Sequence, residues 1–310
     1  MNKKQSYDVV IIGAGPAGLN AALYASRANL KVAIIEKYMP GGKISQTAKV
    51  ENWLGSTTID GFELANQMFK HAMSFGTEYI SGNVINIKHI NDLEQQVILE
   101  DKSTIEAKTV IIATGMKNRE PIFIKNYQNF VNKGVSFCAV CDGPLFKDKP
   151  VLVLGSGNSA FEEATYLSNF VSHVTLITKD QNFSAEKKIV DDFLVKKNIT
   201  LLDGAKILEL QGSDFLEKAL IEDKNNKKIE LQVSALFPFI GLVPVADFAK
   251  DFAIFDQKGF IVTNEEMETK VPGIFAIGDI RQKEIRQIVT AANDGAIAAK
   301  KISDKLNTKK

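Results

Sequence analysis

Cys138 and Cys141 are the only cysteines in 310 residues, and they stand three apart in the run GVSFCAVCDG. Such a pair could ligate a metal, could be two apolar thiols brought close by chance, or could exchange a disulphide. A structural zinc takes four ligands and this motif offers two; His71, His89 and His173 lack the spacing that would complete a set, so no metal site is expected. Two unrelated core thiols seldom fall so close in a chain of this length. A spacing of three lets the cysteines close a small disulphide ring, and Asp142, the next residue, can hold the proton that an opening disulphide takes up at its leaving sulphur. Cys138, Cys141 and Asp142 are therefore the candidate catalytic residues.

Two strand, glycine-loop and helix units surround this motif in the chain. From Tyr7 the sequence reads YDVVIIGAGPAGLNAALYASRANLKVAIIEK. The run Val9 to Ile12 predicts a buried strand, Gly13, Gly15, Pro16, Ala17 and Gly18 a tight turn, Leu19 to Ala28 a helix, and Val32 to Ile35 a second strand ending at Glu36 and Lys37. Glycines at these positions let backbone N–H groups approach a pyrophosphate at the helix N-terminus, and a carboxylate at the end of the second strand can hold a ribose diol. The pattern returns at PVLVLGSGNSAFEEATYLSNFVSHVTLIT. There Val151 to Leu154 and Val174 to Ile177 read as strands, and Gly155, Gly157, Asn158, Ser159 and Ala160 as the loop and start of a helix reaching Leu167. Two dinucleotide sites imply two cofactors, or a cofactor and a nucleotide substrate.

The two units differ at one offset. Glu36 lies 23 residues after Gly13, whereas the same count from Gly155 reaches Thr178, followed by Lys179 and Asp180. No carboxylate stands at the ribose position of the second unit, which argues against a strict preference for NAD(H). Lys179 could accept a 2′-phosphate, Asp180 beside it would oppose that, and both also suit a turn after a strand.

Segments 107–115, AKTVIIATG with Thr114 and Gly115, and 270–279, KVPGIFAIGD with Gly278 and Asp279, read as strands ending on glycine turns. Both resemble what a flavin-binding domain places around its dinucleotide. The expected fold class is α/β, with two Rossmann-like, three-layer (ββα) nucleotide-binding domains. Residues 1–117 and 245–310 form a discontinuous FAD-binding domain, and residues 118–244 form an inserted NAD(P)-binding domain that carries the CxxC motif. Crossovers near Lys117 to Pro121 and Gly241 to Pro244 carry the glycine and prolines common in such connections. Alternating runs at Val84 to His89, Gln96 to Glu100 and Ser103 to Glu106 predict a small meander, and Ile207 to Leu210, Ala219 to Glu222 and Lys228 to Leu231 predict a second. Residues 286–306 predict a long helix with an alanine-rich face.

A hydrophobic share of 45% and a charged share of 24% suit a globular chain. Thirty-eight basic against 37 acidic residues leave a formal charge of +1, so no global field recruits nucleic acid or an anionic membrane. No apolar run reaches the roughly 18 to 20 residues of a membrane span, and the opening MNKKQSYDVVIIGAG does not read as a signal peptide. The expected location is cytoplasmic, where a purely structural disulphide does not persist, which favours an exchangeable pair.

In order and spacing, GAGPAG, GGKISQTAKVENWLG, ATG, CAVCDG, GSGNSAFEEATYLS and IGDIRQKEIRQIVTAANDGAIAA resemble the small bacterial type of thioredoxin reductase across essentially the whole chain. The resemblance implies a homodimeric FAD enzyme that passes electrons from NADPH through flavin and the CxxC disulphide to thioredoxin. By similarity, Cys141 is the thiol next to the flavin, Cys138 the one that attacks thioredoxin, and Asp142 the acid and base. Gly13, Gly15, Pro16, Ala17, Gly18, Glu36 and Lys37 would line FAD, together with Gly42, Lys43, Gln46, Asn52, Val84, Thr114 and Gly115. Gly278, Asp279, Arg286, Gln287 and Ile288 would complete that site, and Lys133 is a candidate basic contact for thioredoxin. The resemblance also implies an inserted domain that turns as a body, offering the flavin either nicotinamide or dithiol.

One departure matters for the donor. Where the family carries a histidine-arginine-arginine run and a further arginine, this chain has Thr178, Lys179, Asp180 and then Ser184. Those arginines grip a 2′-phosphate by paired contacts that lysine reproduces poorly. NADPH and NADH stay open as donors, and the alternatives are another reduced flavin or ferredoxin as donor, or a dithiol oxidase on the same fold.

Overall fold

The computed structural model of the chain describes residues 6–179 and 183–307, and Asp180 falls outside them. It divides into two compact units, Met1–Lys117 with Pro244–Lys310, and Asn118–Val243.

The first unit opens with strand β1 (Ser6–Ile12), helix α1 (Pro16–Arg27) and strand β2 (Val32–Glu36). Val9 to Ile11 and Ala33 to Ile34 are wholly buried, as near-continuous apolar runs in a sheet covered on both faces should be. Helix α2 (Gly61–Met73) begins at Asp60, whose side chain accepts the Glu63 N–H at 3.0 Å and so caps the helix. Strands β3 (Glu78–Ser81), β4 (Val84–Asn91), β5 (Glu94–Leu99) and β6 (Thr104–Ile112) follow.

The expected strands at Ser103 to Glu106 and 107–115 are here one strand, β6, with β1 along one edge from Glu106 onward and, along the other, first β5 and then the strand Ile274–Ala276. Its first half alternates between buried and less buried positions and runs antiparallel to β5, from Ile98 opposite Thr104 to Gln95 opposite Ala107. Its second half is buried throughout and runs parallel to β1, from Val9 beside Thr109 to Ile12 beside Ile112. The change of pattern in the sequence marks a change of neighbour on one edge, from antiparallel β5 to parallel Ile274–Ala276, and the stretch flanked by parallel strands on both sides is the one buried throughout.

The crossover strand β7 (Met116–Asn118) leads to the second unit. A single helical turn, α3 (Ala139–Asp142), carries the cysteine motif, and β8 (Pro150–Leu154), α4 (Asn158–Leu167) and β9 (His173–Thr178) form the second strand-loop-helix-strand unit. Helix α5 (Lys187–Leu194) and strands β10 (Ile199–Asp203), β11 (Lys206–Gln211), β12 (Lys218–Glu222), β13 (Lys228–Gln232) and β14 (Ala235–Pro238) complete it. Four strands make a parallel sheet in the order β10-β9-β8-β14, and β11, β12 and β13 make a separate antiparallel meander. The return crossover is β15 (Leu242–Pro244), which pairs with β7.

Back in the first unit, β16 (Ile274–Ala276) lies parallel to β6 and completes a seven-stranded sheet, whose other strands run in the order β3-β2-β1-β6-β5-β4. Helix α6 (Ile288–Asn307) then packs on α1: Ala17, Ala21, Ala22 and Ala25 share one core with Ala291, Ala298 and Ala299. Small side chains let the two helices approach closely over the glycine loop that α1 follows. No helix among the described residues is long and apolar enough to cross a membrane.

Candidate active site: a dithiol and two glycine loops

Cys138 and Cys141 are joined as a disulphide, with Cα atoms 5.3 Å apart. Cys138 is the N-cap of α3, and its Sγ accepts the backbone N–H of Cys141 at 3.1 Å. Cys141 is exposed and Cys138 half-buried. Asp142 donates its N–H to the Cys138 carbonyl at 3.1 Å, closing the turn. Ser136 belongs to the same constellation, although its residue type does not single it out in the sequence. Its hydroxyl donates to Asp142 Oδ2 at 2.5 Å and accepts the Cys138 N–H at 3.1 Å. Among the described residues, no group of three or more His, Cys, Asp or Glu side chains could hold a metal.

The glycine loop of the first unit is shaped by sterics. Gly13 has φ +106°, and a Cβ there would lie 2.5 Å from the Ala113 carbonyl oxygen, so only glycine fits. Gly15 is the N-cap of α1; no side chain caps the helix, Pro16 follows, and a Cβ on Gly15 would meet nothing within 4 Å. The helix N-terminus thus has room for an anion. Glu36 is fixed beside it: Oε2 accepts the Ala14 N–H at 2.8 Å and Oε1 the Tyr38 N–H at 2.9 Å. Gly42 comes against Gly15, and Lys43 and Gln46 lie in the 3₁₀ turn that Gly42 opens. Gly82 donates to the Glu36 carbonyl at 3.0 Å, which sets the start of β4 at Val84 near the end of β2.

At the far end of this cluster, Asn52 donates to Gln287 at 3.0 Å, 235 positions away in sequence. Arg286 reaches the Asp279 carbonyl at 3.4 Å and stacks 4.3 Å from the centre of the Phe260 ring. The Thr114 hydroxyl donates to the Val245 carbonyl, and Val245 donates to Gly115 at 3.3 Å. Asp279 Oδ1 is buried without a protein partner. Burial pushes the Asp279 carboxyl above the usual carboxylate range, against the opposing pull of Lys283, Arg286 and Lys43. An orphaned buried carboxylate oxygen, on a turn whose Gly278 lies against Ala17 in the first turn of α1, and the uncapped N-terminus of that helix fit a polar dinucleotide with hydroxyl donors.

Beneath that turn lies a network the sequence reading did not single out. Asp294, 3% exposed, accepts the Gly278 N–H at 3.0 Å and pairs with Arg281 at 3.2 Å and Lys283 at 2.8 Å. It holds Gly278 and Asp279 in place. The only signal was its presence in the long terminal motif.

The second loop repeats the cradle with a different rim. Gly155 has φ +149°, and a Cβ there would sit 2.3 Å from the Phe239 carbonyl oxygen; Gly157 is the uncapped N-cap of α4. Ser159 is exposed and Ala160 is buried beneath the loop. Thr178 is wholly buried at the end of β9, so Lys179 is the first exposed side chain past the strand. Ser184 donates its N–H to the Ser156 carbonyl at 2.9 Å and folds its own loop back over the glycines. Asn158, at the start of α4, clasps Glu186: Nδ2 donates to Oε1 at 3.1 Å, and Oδ1 accepts the Glu186 N–H at 2.8 Å. This carboxylate was not foreseen, because it arrives from beyond the strand that the offset count followed.

The disulphide and the two glycine loops stand in a chain with known relatives. Residues 7–295 match the pyridine nucleotide-disulphide oxidoreductase family. The thioredoxin reductase of Mycoplasmopsis pulmonis is 48% identical over 99% of both chains, and that of Bacillus subtilis is 39% identical over 97% of this chain and 95% of its own. The chain belongs to the thioredoxin reductases of this family. Its activity is accordingly that of a thioredoxin-disulphide reductase. In structure, the thioredoxin reductase of Lactococcus lactis superposes with a TM-score of 0.92 at 38% identity, covering 97% of this chain and 99% of that one. The close cysteine pair that this activity calls for is present as the Cys138–Cys141 disulphide, with Ser136 and Asp142 beside it.

Proposed function

We propose that the first unit holds FAD, that NADPH or NADH docks on the second glycine loop, and that the Cys138–Cys141 pair reduces thioredoxin. The observation that carries this reading is the disulphide itself, formed by the chain's two cysteines beside a carboxyl group and in the same unit as a nucleotide loop. Bound flavin supplies the two-electron step between nicotinamide and disulphide. The chain's residues do the remaining work. The N-terminus of α1 takes the pyrophosphate, Glu36 the adenosine ribose, and Asp279 a hydroxyl of the flavin chain. Working as a cytoplasmic homodimer also belongs to this reading, on the strength of the family resemblance.

When the disulphide accepts two electrons, the S–S bond breaks, one sulphur remains a thiolate and the other takes a proton from Asp142. The Cys141 N–H, already directed at Cys138 Sγ, favours negative charge on Cys138. That thiolate attacks one sulphur of oxidised thioredoxin, forming a mixed disulphide and releasing the other thioredoxin sulphur, which takes up a proton. Cys141, returning its proton to Asp142, then attacks Cys138 Sγ, re-forms the internal disulphide and frees reduced thioredoxin.

A donor without a 2′-phosphate is favoured by one feature of the second loop. Among the described residues, the rim offers exposed Lys179 just past β9 and the Glu186 carboxylate, which Asn158 holds at the start of α4. A dianionic phosphate would meet one flexible cation and one fixed anion there. The test is turnover of thioredoxin by the flavin-loaded protein with each donor in parallel. The expected result is turnover with both and a lower KM for NADH; no turnover with either would overturn the nicotinamide reading, and peroxide formation from dithiols alone would put an oxidase in its place.

A further inference from the structure

Ser136 is 8% exposed and hangs from the parallel sheet of its unit: its N–H donates to the Leu236 carbonyl in β14 at 3.1 Å, and Leu236 donates back to Gly134 at 2.8 Å. From that fixed point the hydroxyl faces the redox motif, accepting from the Cys138 N–H at 3.1 Å and donating to Asp142 Oδ2 at 2.5 Å, a closer acceptor than the Cys138 carbonyl oxygen at 3.4 Å. A serine that merely shapes a turn accounts for the first bond, since serine side chains commonly accept from the backbone two residues on. It does not account for the second, which crosses six residues to the one carboxylate beside the disulphide. The bond from Ser136 is the only side-chain hydrogen bond of Asp142 among the described residues.

We propose that Ser136 is a positioning residue for the disulphide chemistry, holding Asp142 Oδ2 on the sheet so that Oδ1 carries the proton that passes to and from the dithiol. As the S–S bond takes up two electrons, the Asp142 carboxyl gives its proton to one sulphur and becomes a carboxylate, which the Ser136 O–H continues to bond. When the dithiol is reoxidised by thioredoxin, the proton returns to the same carboxylate. Throughout, Ser136 keeps its own proton. It touches neither sulphur through its side chain, so its contribution is the placement of the group that does the transfer.

The proposal rests on Asp142 acting as acid and base, and the test separates the two ideas. Flavin-loaded wild type, Ser136→Ala, Ser136→Thr, Asp142→Asn and the Ser136→Ala/Asp142→Asn double variant are compared in thioredoxin turnover and in flavin reduction by the donor alone. Ser136→Ala is expected to lower kcat roughly tenfold to a hundredfold, leaving KM for thioredoxin and flavin reduction by the donor within about twofold. Ser136→Thr, which keeps the hydroxyl, restores most of the loss. In the Asp142→Asn background, Ser136→Ala costs no more than about twofold, because the group it positions is gone. An equal loss in both backgrounds, a loss that threonine does not restore, or no loss at all would overturn the positioning role. Full turnover by Asp142→Asn would instead overturn the acid–base reading beneath it. Should the alanine variant not fold, Ser136→Cys fills the same space with a weaker donor and is expected to move kcat in the same direction.

Discussion

The two glycine loops share a cradle and differ at the rim. In both, a glycine at positive φ presses against a carbonyl oxygen, Ala113 in one case and Phe239 in the other, and a helix starts without a side-chain cap. In the first unit the rim is locked: Glu36 is held by two backbone N–H groups, and Asp279 sits on a turn fixed by the buried Asp294 network. In the second, the strand ends on a buried threonine, an exposed lysine follows, and among the described residues Asn158 holds a carboxylate, Glu186, that belongs to a following loop. Many fixed polar groups around one loop suit a resident cofactor, whereas a cradle with a sparse rim suits a substrate that must leave on every turnover. On the proposed reading, one loop motif serves retention in one place and exchange in another, and the rim decides which.

Substitutions can break that comparison. The largest effect is expected from Cys138→Ser, which should lower thioredoxin turnover by roughly a thousandfold or more while both loops keep their functions, read as unchanged flavin content and donor-driven flavin reduction. Loss of flavin in that variant would mean that the dithiol and the first loop are not separable. Next comes a matched pair. Gly13→Ala should yield protein with little bound flavin, and Gly155→Ala should keep its flavin yet raise KM for the donor at least about tenfold, since each methyl would collide with a carbonyl oxygen in its own loop. Absorbance of the purified proteins and donor titrations separate the two outcomes, and flavin loss from both would erase the distinction.

Smaller effects sharpen it. Glu36→Gln removes the charge that anchors the first rim and should weaken flavin retention about tenfold, measured by dialysis against free flavin. Glu186→Gln should leave flavin content alone and lower KM for NADPH about twofold to fivefold, with little change for NADH, as expected where a fixed anion opposes a 2′-phosphate. The smallest change is Asp60→Ala, which removes the cap of α2 outside both loops. It should cost about 1 kcal/mol, a melting shift of about 2 °C, without altering either nucleotide.

The cradles were legible because their chemistry is local: strand, glycine spacing and helix fall within thirty residues. The rims were only partly so. Glu36 was found because it ends the adjacent strand, but Glu186 enters from a later loop, and Asp294 reaches Gly278 from a helix sixteen residues on. Strand β6 was read as two because its burial pattern changes midway, and only pairing shows that one strand can serve two kinds of neighbour. Ser136 was invisible for another reason. A serine near a turn is common, and nothing in residue type reveals that its hydroxyl points at a carboxylate rather than at water.

On the proposed reading, the flavin and the cysteine pair are connected stores of electrons within one chain. An anaerobic reductive titration of the flavin-loaded protein, with free thiols counted at its end point, tests this directly. The expected result is two two-electron equivalents per chain and two new thiols, with the second equivalent absent in Cys138→Ser. Complete flavin reduction by one equivalent, with the disulphide still closed under excess reductant, would contradict it.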